Sequence, residues 1–155
     1  MKTLNEGDKA PAFSTNDSHG KPIRLADFKG KRFVLYFYPR DNTPGCNKEA
    51  CSFRDEFSKF KKHGIEVIGI SGDSEASHQK FIAKFDLPFT LITDEDHRIA
   101  IAYGTYGEKT FMGKKFLGIH RTTFLIGADG KIEKIFRKVK PEGHAKEVLE
   151  SARLK

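Results

Sequence analysis

From Phe33 to Tyr38 the chain reads Phe-Val-Leu-Tyr-Phe-Tyr without a polar break. Such a run of aromatic and branched residues is the pattern of a strand covered on both faces, so it predicts a central strand of a parallel or mixed sheet. The period then changes. Ala50, Phe53, Phe57 and Phe60 recur at steps of three and four, forming one stripe of a helix that reaches about Lys62 and ends at His63-Gly64. Glu66 to Ile70 reads as a second strand, and His78, Phe81, Ile82 and Phe85 stripe a second helix that stops before Pro88. The pattern further predicts a short strand at Phe89–Thr93, a short helix at Asp94–Tyr103 and a Lys- and Gly-rich loop or hairpin at Thr105–Gly118. Thr122–Ile126 and Lys131–Arg137 flank Gly127-Ala128-Asp129-Gly130, the signature of an antiparallel hairpin. Glu142–Leu154 carries Ala145, Val148, Leu149 and Ala152 at helical spacing after Pro141, read as a first-turn proline. Strands alternating with helices, then a hairpin and a closing helix, predict an α/β fold with helices on both faces of a central mixed sheet.

A length of 155 residues suits one domain, and neither a repeat nor a linker interrupts residues 1–155. Fourteen phenylalanines within 37% hydrophobic residues supply a core, which excludes disordered and collagen-like classes. No run approaches the roughly 18 apolar residues of a membrane span. Asn5, Glu6, Asp8 and Lys9 occupy the stretch where a secretion signal would be apolar, so a cytoplasmic address is expected. The net charge of +7 raises a nucleic-acid reading. Its distribution disfavours one, because basic and acidic residues are interspersed, as in Lys131-Ile132-Glu133-Lys134, and solvated faces account for them.

The chemistry rests on two cysteines, Cys46 and Cys51. They fall at the start of the first predicted helix, just beyond the carboxyl end of the central strand, where open α/β sheets place their ligand sites. Asn42-Thr43-Pro44-Gly45-Cys46 reads as a helix start, with Asn42 or Thr43 as cap and Pro44 in the first turn. Cys46 then lies within reach of unpaired N–H groups and the positive dipole end, which favour a thiolate. Ionisation alone gains about thirtyfold near neutral pH for a thiol moved from a pKa of about 8.5 to about 6. Fast chemistry therefore also needs donors that polarise the electrophile, and Thr43 and an arginine are the candidates. Cys51, five residues on, lies about 8–9 Å away between Cα atoms if the helix is intact. A disulfide tolerates no more than about 7 Å, so pairing the two would require the first turns to unwind.

Three other readings stay open at this point. Both cysteines fit a role as small buried hydrophobes. A zinc site would draw on His19, His63, His78, His97, His120 and His144, which are scattered singly without ligand spacing and read as surface or packing residues. A C-x-x-C dithiol oxidoreductase also carries a strand-to-helix cysteine pair, but this chain has C-x-x-x-x-C.

The segment Tyr36-Phe37-Tyr38-Pro39-Arg40-Asp41-Asn42-Thr43-Pro44-Gly45-Cys46-Asn47-Lys48-Glu49-Ala50-Cys51-Ser52-Phe53-Arg54-Asp55 resembles the active-site stretch of peroxiredoxins of the bacterioferritin-comigratory-protein (PrxQ) class. The P-x-x-x-T-x-x-C pattern is met by Pro39, Thr43 and Cys46, with a second cysteine five residues on. The likeness extends through Gly7–Phe13, Lys29–Lys31, Ile70–Ser74, Phe85–Phe89 and Gly118–Ile126, nearly the whole chain. It implies a thioredoxin-like fold and a thiol peroxidase acting on hydrogen peroxide and organic hydroperoxides. By the same likeness Cys46 is the peroxidatic and Cys51 the resolving cysteine, Thr43 the active-site hydroxyl, Arg121 the active-site arginine and Pro39 a residue that shapes the pocket. Glu49 matches an acidic position common in the subfamily, and a surface carboxylate in the helix's first turn accounts for it equally well. The resemblance further implies no metal or organic cofactor, recycling by thioredoxin or a similar dithiol, and a monomer, since resolution is intrachain. The sequence departs from the family at Asn47 (often threonine), Tyr106 (tryptophan), Thr122 (serine) and Gly127 (aspartate), none of which removes a catalytic group.

Overall fold

The computed structural model describes residues 3–153. A short hairpin, β1 (Ser14–Asn16) and β2 (Pro22–Arg24), and a 3-10 turn at Leu25–Phe28 lead into β3 (Arg32–Phe37). There follow α1 (Pro44–Lys62), β4 (Ile65–Ser71), α2 (Glu75–Phe85), β5 (Thr90–Thr93), α3 (Arg98–Ala102), β6 (Tyr106–Phe111), β7 (Lys114–Ile119), β8 (Thr122–Ile126), β9 (Ile132–Phe136) and α4 (His144–Arg153). Five strands form the main sheet in the order β5-β4-β3-β8-β9, with β3, β4 and β5 parallel and β8 and β9 antiparallel to their neighbours. The unbroken apolar run thus lies at the sheet's centre, as its pattern predicts.

Alternation along β3 splits the core in two. Phe33, Leu35 and Phe37 join Ile68, Ile70, Phe124 and Tyr103 on one face, while Val34, Tyr36 and Tyr38 join Phe53, Phe60, Phe81 and Val148 on the other. Helices α1, α2 and α4 cover the second face; the short α3, the 3-10 turn and N-terminal residues such as Phe13 cover the first. Gly69 in β4 is tightly packed: a Cβ there would lie 2.7 Å from Leu91 and 2.9 Å from the Tyr36 ring.

Local chemistry sets the element ends. Ser74 caps α2 by accepting from Ser77 N–H, and Asp86 ends it at φ +51 before Pro88. The helix expected over Asp94–Tyr103 shrinks to five residues, because the Asp94 carboxylate accepts from Ile99 and Ala100 N–H and holds the preceding residues in a turn. Thr105–Gly118, open between loop and hairpin in the sequence, folds as the antiparallel pair β6–β7 around Met112-Gly113, both at positive φ. The closing helix starts at His144 rather than Glu142. Gly143 at φ +75 precedes it, leaving Pro141 outside the first turn, and Ser52 in α1 accepts the Ala145 N–H. Leu154, where that helix was expected to end, lies outside the described residues.

Candidate active site

Pro44 opens α1 at a position where its missing N–H costs nothing, with Thr43 as N-cap in extended backbone. Two residues further, the Cys46 side chain turns inward and is 1% exposed. Its sulfur accepts a hydrogen bond from Arg121 Nη2 at 3.3 Å. The other end of the same guanidinium, Nη1, donates to Glu49 Oε1 at 2.6 Å. Arg121 comes from the connection between β7 and β8, 75 residues along the chain, and crosses to the tip of α1 because β8 pairs with β3 in the sheet.

Of the two readings of Glu49, the surface, first-turn carboxylate does not fit. The residue lies beyond the first turn and is fully buried, one helical step from Cys46, because that stripe of α1 faces the sheet. Burial pushes its carboxyl from the ordinary 4.5 up to about 7, against the pull of Arg121. Its second oxygen, Oε2, has no hydrogen-bond partner. At Arg121 burial works against the charge, yet Glu49 and Cys46 outweigh it and hold the guanidinium above its ordinary value. The arrangement is one cation shared between a buried carboxyl and a sulfur.

The remaining predicted residues are placed less directly. Thr43 turns its hydroxyl to the Arg40 carbonyl at 3.1 Å, and among the described contacts it makes no bond to Cys46. Pro39 is half-buried behind this loop. Cys51 is a free thiol, partly exposed, on the same unbroken helix as Cys46, and lines a cleft of about 580 Å³ with Lys48, Asp55, Glu142 and Lys146. The structure therefore joins Cys46, Glu49 and Arg121 and leaves Cys51 apart from them.

Several residues near the site escaped sequence reasoning. Gly45 gives Arg121 its approach: a Cβ there would sit 3.1 Å from Nη2 and 3.6 Å from Pro141. Lys109 of β6 donates to the Ile119 carbonyl at 2.8 Å, and burial lowers its ammonium, with Arg121 acting the same way and Cys46 opposing. Tyr36 keeps its phenol neutral through burial, with Glu49 and Cys46 adding to the effect. Behind the helix start, Asp41 accepts from Tyr38 and Ser77 and meets His78 Nδ1 at 2.7 Å, while Asp73 accepts from Asp41 N–H and Ser71. Asp41, Asp73 and His78 lie close enough to share a cation. Their ligand atoms are instead taken up by these protein hydrogen bonds, which rivet the end of β3 to β4 and α2.

The chain has relatives among known proteins. The AhpC/TSA family model matches residues 6–135. The chain belongs to that family, as a peroxiredoxin. It is 48% identical to peroxiredoxin Bcp of Escherichia coli over 96% of each chain, and 44% identical to peroxiredoxin Bcp of Bacillus subtilis over 96% of this chain and 95% of the other. Among solved structures, a mutant of Xylella fastidiosa PrxQ superposes with a TM-score of 0.93 at 35% identity, covering 99% of this chain and 98% of that one. Peroxiredoxin Q of Xanthomonas campestris gives a TM-score of 0.87 at 38% identity, covering 92% of this chain and 90% of that one. The thioredoxin-like fold expected from the resemblance is that of these neighbours, and the reaction class of the peroxiredoxin is thiol-dependent peroxide reduction. Among the described residues no helix is long and apolar enough to cross a membrane.

Proposed function

We propose that Cys46 is the nucleophile of this peroxiredoxin and Cys51 the thiol that resolves it within one chain. The observation that carries the reading is the hydrogen bond from Arg121 to the Cys46 sulfur at the tip of α1. The Cys46 thiolate attacks one oxygen of hydrogen peroxide or an organic hydroperoxide along the O–O axis. The S–O bond forms as O–O breaks, and the leaving hydroxide or alkoxide is stabilised by Arg121 and first-turn N–H groups before taking a proton to leave as water or alcohol. Thr43 serves through its position at the cap: its hydroxyl donates to the Arg40 carbonyl and accepts a hydrogen bond from the peroxide O–H, which keeps its hydrogen. The sulfur is left as sulfenic acid.

Resolution requires a change of shape. With α1 intact the two Cα atoms stand about 8–9 Å apart, beyond the reach of a disulfide, so the helix start unwinds first. The Cys51 thiolate then attacks the sulfenic sulfur, water leaves, and an intrachain disulfide forms. Thioredoxin or a similar dithiol returns both thiols by exchange. This scheme needs no thiol from a partner subunit, which supports a monomer.

Peroxide consumption coupled to thioredoxin tests the scheme. Cys46→Ser abolishes turnover, whereas Cys51→Ser undergoes one stoichiometric oxidation and then stalls. One equivalent of peroxide converts the wild type to an intrachain disulfide visible by mass spectrometry. Undiminished turnover by Cys46→Ser would remove the proposal.

A further inference from the structure

The stretch Thr105–His120 stands outside the five-stranded sheet, and its tip is open to solvent, with Phe111 68% and Met112 86% exposed. Its base is pinned. His120 N–H donates to the Thr105 carbonyl at 2.7 Å, and the His120 ring donates through Nε2 to the Glu108 carbonyl at 3.1 Å. Lys109 Nζ donates to the Ile119 carbonyl at 2.8 Å. Thr122 closes the set by donating to the His120 carbonyl at 2.8 Å. All four ties act on the few residues that carry Arg121. Lys109 reaches its acceptor by lying across Gly118, where a Cβ would come within 3.1 Å of the lysine Cδ.

We propose that Lys109 and His120 are positioning residues of the peroxidase: they clamp the main chain just before Arg121 so that its guanidinium stays on the Cys46 sulfur. The hairpin β6–β7 thereby serves the chemistry without touching peroxide. This rests on the roles given above to Cys46 and Arg121. Nη2 meets the sulfur at 3.3 Å while Nη1 is held by Glu49 at 2.6 Å, so a carrier segment free to drift keeps the carboxylate contact and loses the sulfur. A misplacement of about 1 Å costs a reaction up to roughly a hundredfold. A half-buried lysine that holds a carbonyl gives up part of its hydration, which agrees with its lowered ammonium.

The test is the rate of Cys46 oxidation by hydrogen peroxide, followed in single turnover. Lys109→Met keeps the aliphatic stem and removes the donor, and it slows oxidation about tenfold or more. Lys109→Arg, still able to donate to Ile119, restores most of the rate, and closure of the disulfide by Cys51 is unchanged in both. His120→Gln, which keeps a donor, stays near wild type, while His120→Ala slows. The deciding arm is a double-mutant cycle: with Arg121→Ala in place, Lys109→Met has no further effect. An equal loss in that background would show that Lys109 acts on its own, and an unchanged rate for Lys109→Met in the otherwise wild-type chain would show that it does not act; either overturns the proposal. Failure of the underlying reading looks different, for Arg121→Ala itself would then leave oxidation untouched.

Discussion

At the scale of the residue, the site is one guanidinium divided between two partners. Removing it withdraws a charge-stabilising donor, so Arg121→Ala slows Cys46 oxidation by about 10² to 10³, measured by stopped flow. Gly45 acts on the same group from the other side. Gly45→Ala brings a methyl within 3.1 Å of Nη2 and displaces it, slowing oxidation while a better helix former strengthens α1; the opposed signs of rate and stability are the check. Glu49 carries a pH signature. Its native carboxyl titrates near 7 against 4.5 for an ordinary one, so between those values the folded chain holds a proton that the unfolded chain has released. Stability from this group is therefore full below about 4.5, declines as pH rises to about 7 and is level above. Urea unfolding of the wild type and Glu49→Gln across that window shows the wild type losing ground to the variant as pH rises. A pH-independent difference would return Glu49 to the ordinary range.

At the scale of the element, α1 must be rigid to present Cys46 and loose enough to release it. Two contacts mark where the proposed unwinding would stop. Ser52 accepts the Ala145 N–H of α4, and Phe53 stacks on Tyr36 with ring centroids 4.6 Å apart, both immediately past Cys51. Amide exchange in the disulfide form is accordingly fast from Gly45 to Cys51 and still slow from Phe53 to Phe60; protection of the first stretch after oxidation would contradict local unwinding. In β4, beneath the same face, Gly69→Ala overpacks Tyr36 and Leu91, neither of which has room to retreat, and costs about 1–3 kcal/mol in denaturant unfolding.

At the scale of the molecule, a mixed sheet covered on both faces leaves the edge of α1 and the β6–β7 hairpin as the parts that serve the reaction. The proposed resolution inside one chain predicts a monomer in both redox states, read by sedimentation, and no ladder on a non-reducing gel after peroxide. A net charge of +7 makes copies of the chain repel one another in dilute buffer.

Periodicity along the chain determined much of this: the buried central strand, the stripe of α1, the capped α2 and the hairpin at Gly127–Gly130 depend on contacts between near neighbours, and their patterns show directly. The cysteine spacing, too, is a property of one helix. What the pattern left open depends on residues far apart. Glu49 lies on the buried stripe of α1, but a lone carboxylate amid charged neighbours carries no sign of burial until Arg121 arrives from 72 residues away. The Asp94 cap shortened a helix that apolar spacing alone would extend. The role of Lys109 emerges only when β6 and β7 close and bring it onto Gly118 and Ile119. Local periodicity records which face of an element is buried. Only the packed sheet decides which charges meet there, because desolvation and Coulomb energy depend on distance in space and not along the chain.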